Sequence, residues 1–167
     1  MSQVYLSLGS NLGDRLRNLQ RAVEALARCC RVTAVSAVYE TPPWGETAQP
    51  AFLNLCLAAQ TSHTPHSLLT YLKYLEQSLG RRTTYRWGPR LIDIDILFFD
   101  DLVLSEPSLT IPHPCIQQRA FVLVPLVDIA PDLRHPVLAQ TVAQLCARVD
   151  AQGIKRLTAL WPEAMRE

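Results

Sequence analysis

The chain has 167 residues, of which 49% are hydrophobic, and its formal net charge is +1. This length and apolar content suit one domain with its own core over 1–167, and the near-neutral charge argues against a general nucleic-acid-binding protein. No segment reaches the ~18 apolar residues of a membrane span, and the five cysteines lack C-x-x-C spacing. We therefore expect a cytoplasmic protein that binds neither membrane nor nucleic acid.

Strand and helix patterns alternate over the first hundred residues. Apolar patterns predict strands over 3–9, 32–39 and 52–61, and a fourth strand contains Asp93 and Asp95. Asp14 is the expected cap of a helix that runs to about Arg28, and Pro65 opens a helix that stops at Gly80. The apolar face of the first helix is expected to contain Leu16, Leu19, Val23, Leu26 and Ala27.

The order β-α-β-β-α-β predicts an α+β fold of the ferredoxin-like kind, in which helices pack on an antiparallel sheet. Further along the chain, residues 102–104 are expected to pair beside the fourth strand. Helices are expected from about Cys115 to Ile129 and over 141–149, and a closing strand over 154–160.

Residues 86–98 (RWGPRLIDIDILF) are the most informative segment. Arginines at 81, 82, 86 and 90 precede a strand in which Asp93 and Asp95 are two residues apart. Because strand side chains alternate, both aspartates should lie on one face with Cα atoms about 7 Å apart. Arginine forks suit phosphate oxygens and paired carboxylates suit Mg²⁺, so the segment predicts phosphoryl-type chemistry. A salt-bridge network between these arginines and aspartates is the structural alternative.

Two long loops and one polar strand residue point to a pocket. Trp44 and Trp87 lie in the loops 40–50 and 80–90, where each could close over a ligand or fold back on its own loop. Asn54 lies in an apolar strand, where its amide either bonds to the backbone or faces a heterocycle.

Taken together, these segments resemble the 6-hydroxymethyl-7,8-dihydropterin pyrophosphokinase family. The matching segments are 8–14 (LGSNLGD), 39–43 (YETPP), 52–54 (FLN), 86–96 (RWGPRLIDIDI), 111–114 (IPHP), 119–123 (RAFVL) and 125–131 (PLVDIAP). The likeness extends from Tyr5 to about Pro136, and the R-W-G-P-R segment followed by D-x-D is its most specific part.

The resemblance implies that diphosphate is transferred from ATP to the hydroxymethyl group of a reduced pterin, with release of AMP. It places two Mg²⁺ ions on Asp93 and Asp95, and it implies a monomer. Arg82 and Arg90 are the implied catalytic arginines, in addition to the two aspartates. The implied ATP contacts are Lys73, Glu76, Arg82, Trp87, Arg90, Ile96, His113 and Arg119. The implied pterin contacts are Thr41, Pro42, Pro43, Trp44, Phe52, Asn54, Trp87, Asp93 and Phe121.

The chain departs from the family pattern at several of these positions. Phe52 replaces a common tyrosine, Trp44 is bulkier than the usual leucine, and Lys73 stands where glutamine is frequent. The arginine loop is one residue shorter than in some members, so Arg81 and Arg82 remain alternatives for one position. A two-metal nucleotidyl transferase or cyclase, and an RNA-binding module with the same strand order, are the rival interpretations.

Overall fold

The computed structural model describes residues 1–43, 48–81 and 88–160. The elements in chain order are β1 (Ser2–Ser10), α1 (Arg15–Cys29), β2 (Arg31–Val35), β3 (Ala37–Thr41), β4 (Phe52–Thr61), α2 (Pro65–Ser78), β5 (Asp93–Phe99), β6 (Leu104–Ser105), β7 (Thr110–Ile111), a 3₁₀ turn (Ile116–Gln118), α3 (Ala120–Ile129), α4 (Val142–Cys146) and β8 (Lys155–Ala159). Among the described residues, no helix is both long and apolar enough to cross a membrane.

The main sheet has the strand order β5-β1-β4-β3-β8, with β2 also paired to β4. Neighbouring strands in it are antiparallel. Because β1 and β5 are adjacent and β4 lies on the other side of β1, the β-α-β-β-α-β segment has the predicted ferredoxin-like arrangement. The predicted fold class is therefore confirmed, whereas the single-domain division over 1–167 stays a prediction.

Local sequence signals set the two long helices. The Asp14 carboxylate accepts a hydrogen bond from the Arg17 amide at 3.2 Å, so it caps α1 as predicted. Thr64 caps α2, and Pro65 occupies the first helical turn, where no intrahelical donor is needed. Gly80 follows α2 with φ of +103°, a conformation that favours glycine.

Some predicted details are wrong. The expected strand 32–39 is split at Ser36, whose hydroxyl accepts a hydrogen bond from the Cys56 amide at 2.9 Å and so displaces a regular ladder bond. Leu16 is 37% exposed rather than part of the buried helix face. Leu104 pairs with Ile111 in a separate two-stranded sheet instead of extending the main one.

Two hydrophobic clusters cover the two faces of the sheet. The larger cluster packs the leucines of β1 and β4 against α1 and α2. The smaller cluster contains Cys56, Leu97 and Phe98 and lies under α3 and α4. The second face is thus covered by apolar residues over only part of its length, and the remainder borders the site described next.

Candidate active site

A cavity of about 200 Å³ opens where the ends of three strands meet. Gly9, near the end of β1, is paired with Asn54 of β4 on one side and with Asp93 of β5 on the other. The antiparallel register therefore brings the beginning of β4 and the beginning of β5 to the same edge of the sheet. Side chains that are 39 residues apart in sequence become neighbours across β1.

Asp93 and Asp95 both line this cavity. Ile94 and Ile96, the residues that alternate with them, are buried in the cluster beneath α1 and α2. The prediction that the two aspartates share one face of a strand is therefore confirmed. One strand supplies carboxylates to the cavity and apolar side chains to the core.

Asp93 is held by two arginines. Its Oδ1 atom accepts hydrogen bonds from Arg81 Nη1 at 3.0 Å and from Arg90 Nη1 at 3.1 Å. Arg81 also forms an ion pair with Glu76 of α2, and the Glu76 carboxylate accepts a hydrogen bond from the Ile94 amide at 3.0 Å. The salt-bridge alternative is thus realised at Asp93, where both arginines form ion pairs with the carboxylate.

The second carboxylate lies in a less favourable place for a negative charge. Burial raises the pKa of Asp95 to about 7, with a further contribution from the nearby Asp93 charge, while Arg119 and Arg90 oppose the rise. Burial likewise raises the pKa of Glu76 to about 7. A cation bound between Asp93 and Asp95 would offset the repulsion that their ionised forms experience.

His113 lies in the same wall as Asp95 and is mainly neutral. Burial, followed by the Arg119 charge, lowers the pKa of His113 to about 4. The His113 amide donates to the Leu97 carbonyl at 3.0 Å, which fixes this segment against β5. A neutral imidazole can donate one hydrogen bond to a phosphate oxygen but adds no positive charge.

The cavity is also lined by an amide and aromatic rings. The Asn54 amide donates to the Thr41 hydroxyl at 2.6 Å, so its partner is a side chain and not the backbone. A Cβ atom at position 9 would lie 2.6 Å from the Asn54 Oδ1 atom, and glycine there leaves room for this orientation. Phe52 and Phe121 also line the cavity. These groups suit a flat ring that presents donors and acceptors along one edge.

Arg119 and Phe121 reach the cavity from the start of α3. Arg119 is the residue before the first turn of the helix, and its guanidinium carbon lies 5.5 Å from the centre of the Phe121 ring. This contact places a cation between the aromatic wall and Asp95.

A second cavity, of about 220 Å³, adjoins the first and shares Asp95 and His113 with it. Ile96 lines this second cavity together with Leu69 and Leu109, which makes one wall apolar. The two cavities meet at Asp95 and His113, and we refer to them together as the extended cleft.

The other predicted contacts that the structure describes differ in position. Thr41 and Pro42 line the first cavity, and Pro43 follows them in the chain. Lys73 is exposed on α2, whereas Glu76 is buried and paired with Arg81. Trp44, Arg82 and Trp87 lie outside the described residues.

Sequence reasoning missed three residues that line the cavity, namely Ser7, Gly9 and Gly88. Ser7 and Gly9 alternate along β1, and they are paired with Asp95 and Asp93 in the sheet. Strand pairing is the signal that could have found them, because the neighbours of a site residue on the adjacent strand share its face.

The sequence pattern of the 7,8-dihydro-6-hydroxymethylpterin-pyrophosphokinase (HPPK) family matches residues 5–131. The chain is 48% identical over 159 residues to the 2-amino-4-hydroxy-6-hydroxymethyldihydropteridine pyrophosphokinase of Methylorubrum extorquens, covering 94% of this chain and 99% of that protein. It is 43% identical over 137 residues to the Aquifex aeolicus protein of the same name, covering 82% and 86%.

The fold also matches the crystal structure of Plasmodium falciparum HPPK-DHPS wild type, with a TM-score of 0.71 and 19% identity over 88% of this chain and 44% of that chain. At that identity the likeness concerns the fold alone.

The chain belongs to the 6-hydroxymethyl-7,8-dihydropterin pyrophosphokinase family. It is an ATP-dependent diphosphotransferase of folate biosynthesis, which transfers diphosphate from ATP to the hydroxymethyl group of 6-hydroxymethyl-7,8-dihydropterin and releases AMP. Family membership decides against the RNA-binding and nucleotidyl-transfer alternatives.

Proposed function

We propose that the extended cleft binds both substrates and that Asp93 and Asp95 stand at the point where they meet. The observation that carries this proposal is the arrangement of the first cavity. Its lining brings an amide and two aromatic rings together with carboxylates and arginines, so a flat heterocycle and a polyphosphate can lie side by side. Transfer between two substrates needs this proximity more than it needs covalent catalysis by the protein.

The donor set at Asp93 and Asp95 fits Mg²⁺. Oxygen ligands suit this ion, and it is usually held by one or two carboxylates together with substrate phosphates and water. Substrate phosphates and water would supply the ligands beyond the two carboxylates. When bound there, two Mg²⁺ ions would neutralise charge on the transferring phosphate.

Arg81 and Arg90 have a second role in this proposal. Both pair with Asp93, at 3.0 and 3.1 Å. A cation bound to Asp93 would compete with these pairs, so the guanidinium groups would become available to phosphate oxygens. We assign Arg90 and one arginine of the 81–82 pair to the phosphates, with Arg82 as the first choice and Arg81 as the alternative.

The remaining contacts divide between the two substrates. On the nucleotide side we propose Ile96, His113 and Arg119, together with Trp87, Lys73 and Glu76. His113 acts there as a neutral hydrogen-bond donor, and Glu76 acts by holding Arg81 and the Ile94 amide.

On the pterin side we propose Asn54 at the amide edge of the ring, with Phe52 and Phe121 against its faces. Asn54 is oriented by Thr41, since the 2.6 Å bond fixes the amide nitrogen. We also assign the segment 41–44 and Trp87 to the pterin.

We further propose that 1–167 is one domain and that the protein is a cytoplasmic monomer. The five cysteines are free thiols, which suits a reducing compartment. Light scattering on a size-exclusion column would test the oligomeric state, and a dimer mass would contradict it.

The proposal is tested by measuring AMP formed from ATP and 6-hydroxymethyl-7,8-dihydropterin at increasing magnesium concentrations. We expect no AMP without the divalent ion and saturable formation with it. Asp95→Asn should fail to respond to magnesium, whereas Asp101→Asn, which changes an exposed carboxylate beyond the same strand, should match the parent. Parent-like turnover of Asp95→Asn would show that this carboxylate is not needed at the proposed site.

A further inference from the structure

A buried amide lies between the ends of the two long loops. Asn11 follows the last residue of β1 and is only 1% exposed. Among the described residues, those that line the two cavities do not include Asn11, so it is not positioned to touch a substrate. A polar side chain buried in this way needs hydrogen-bond partners within the protein.

On one side, Asn11 holds Arg90, the last residue of the loop 80–90. The Arg90 amide donates to the Asn11 Oδ1 atom at 2.7 Å, and the Asn11 amide donates to the Arg90 carbonyl at 3.0 Å. The Arg90 guanidinium is held separately, through its 3.1 Å bond to Asp93. The main chain and the side chain of this arginine therefore have different anchors.

On the other side, Asn11 holds the last residues of the loop 40–50. Its Nδ2 atom donates to the Gln49 Oε1 atom at 2.8 Å and to the Pro50 carbonyl at 3.1 Å. Phe52, which we assign to the pterin, follows Pro50 by two residues and lines the first cavity. The segment that Asn11 holds thus leads directly into the pterin side of the cavity.

The chemistry of an amide matches these partners. The Arg90 amide can only donate and the Pro50 carbonyl can only accept, so together they determine which end of the Asn11 side chain is the oxygen and which is the nitrogen. An aspartate would offer acceptors alone, and a leucine of similar size would offer neither. The residue type at position 11 therefore suits a link between two loop ends that are far apart in the sequence.

A second asparagine orders the turn that carries Asn11. The Asn18 Nδ2 atom, on α1, donates to the Ser10 hydroxyl at 3.2 Å and to the Leu12 carbonyl at 2.8 Å. These two bonds stay within the turn and reach neither loop end. Asn18 is therefore a matched control for Asn11, with the same side chain and with bonds to the same turn.

We propose that Asn11 is a positioning residue for both substrates. Its oxygen holds Arg90 where the guanidinium can bind the phosphates of ATP, and its nitrogen holds the segment that leads to Phe52 on the pterin side. This inference rests on the proposed function, which assigns these two residues to the two substrates. Asn11 acts through the placement of its partners, and transfer between two substrates is sensitive to displacements of about 1 Å.

The test compares two substitutions of Asn11. Asn11→Ala removes both links, whereas Asn11→Asp keeps an acceptor for the Arg90 amide but places an oxygen opposite the Pro50 carbonyl. Turnover and both Michaelis constants are measured at pH 8, where an introduced aspartate is ionised. Asn11→Ala should raise both Michaelis constants about fivefold and lower kcat about tenfold. Asn11→Asp should raise the Michaelis constant for the pterin about fivefold and leave that for ATP within about twofold of the parent.

Asn18→Ala is the control for a general loosening of the turn. It removes two hydrogen bonds and should lower the midpoint of thermal unfolding, while both Michaelis constants stay near those of the parent. Equal losses of both substrates in Asn18→Ala and Asn11→Ala would overturn the proposal, because order in the turn would then explain them. Asn11→Asp is nearly isosteric, so it decides the matter if Asn11→Ala does not fold. Equal effects of Asn11→Asp on the two substrates, or no effect on either, would also overturn the proposal.

Two further variants separate this inference from the proposed function. Arg90→Ala should weaken the use of ATP, and Asn54→Ala should weaken the use of the pterin. If these variants respond and the Asn11 variants do not, the positioning role of Asn11 alone is wrong. If neither Arg90→Ala nor Asn54→Ala responds, the substrate assignments are wrong, and the inference about Asn11 is overturned with them.

Discussion

The two faces of the sheet differ in what they carry, although the same strands build both. On the face toward α1 and α2, Leu8, Leu55 and Ile94 are fully or almost fully buried in one apolar cluster. On the other face, apolar residues such as Cys56 and Phe98 cover only the part under α3 and α4. Where that cover ends, the same strands present Asn54 and Asp95 to the cleft.

Within a single strand, the residues on one face therefore contribute to stability and those on the other face line the cleft. Leu55 lies beside Asn54 in sequence, and Ile94 lies between the two aspartates, yet each neighbour pair faces opposite sides. A packed face on one side keeps the functional side chains in fixed positions on the other. Substitutions should therefore affect activity on the cleft face and stability on the packed face.

The largest expected effect is on the cleft face. Asp95→Asn should reduce turnover about 100-fold or more, because metal-mediated charge stabilisation contributes several kcal/mol to such reactions. Single-turnover measurements with saturating ATP and pterin would test this. An Asp95→Asn enzyme within a few-fold of the parent would show that the carboxylate is dispensable.

The same substitution should make the free protein's stability less dependent on pH. The Asp95 pKa is raised from 3.8 to about 7, so between these values the folded state binds a proton more tightly than the unfolded chain does. Without magnesium, the free energy of unfolding should fall as the pH rises through this range. Glu76 titrates in the same range and remains in the variant, so Asp95→Asn should reduce this slope without removing it. If the pH dependence of the free energy of unfolding is unchanged in Asp95→Asn, the raised pKa of Asp95 is contradicted.

On the packed face the expected effect is thermodynamic. Leu55 is fully buried, and Leu55→Ala should lower the free energy of unfolding by about 2–5 kcal/mol, because a cavity remains beneath the helices. Urea unfolding measures this loss, and the turnover of the fraction that remains folded should stay close to that of the parent. A large loss of turnover without a loss of stability would contradict the view that this face contributes mainly to stability.

Asn54→Ala, one residue away, should have the opposite profile. The pterin edge would lose a matched hydrogen-bonding group, so pterin binding should weaken by about 1–3 kcal/mol. Calorimetric titration with the pterin in the presence of an ATP analogue would measure it. Because we assign the ATP contacts to other residues of the cleft, the affinity for the nucleotide alone serves as the control. Unchanged pterin affinity would mean that the pocket is misplaced.

The sequence predicts the parts of this arrangement that depend on regular periodicity. The shared face of Asp93 and Asp95 follows from strand alternation. The N-terminal ends of α1 and α2 follow from Asp14 and Pro65. The positions of Asn54 and Phe121 in one cavity depend on pairing and helix packing, which the family resemblance implies and periodicity alone does not.

The failures occur where tertiary contacts override a local pattern. The break at Ser36 depends on a bond to Cys56, twenty residues away, and no local signal marks it. The ion pairs of Arg81 join α2 to β5, so sequence could not separate its role from that of Arg82. Leu16 fits the helical stripe but lies in the first turn of α1, where it is 37% exposed.

The smallest expected effect concerns the junction between the two kinds of surface. The Tyr39 hydroxyl donates to the Asp128 carboxylate at 2.8–2.9 Å, and Asp128 also accepts a hydrogen bond from the Ala37 amide at 3.2 Å. This contact fastens β3, which carries Thr41, to α3, which carries Phe121. Tyr39→Phe should lower the free energy of unfolding by about 1.5 kcal/mol, because a hydrogen bond to a charged group is lost. It should also weaken pterin binding slightly, since β3 and α3 are joined less firmly. As a control, Tyr74→Phe on the exposed face of α2 should change neither the free energy of unfolding nor the pterin affinity. If Tyr39→Phe lowers stability and leaves pterin affinity at the parent value, the bond fastens the fold without positioning the site.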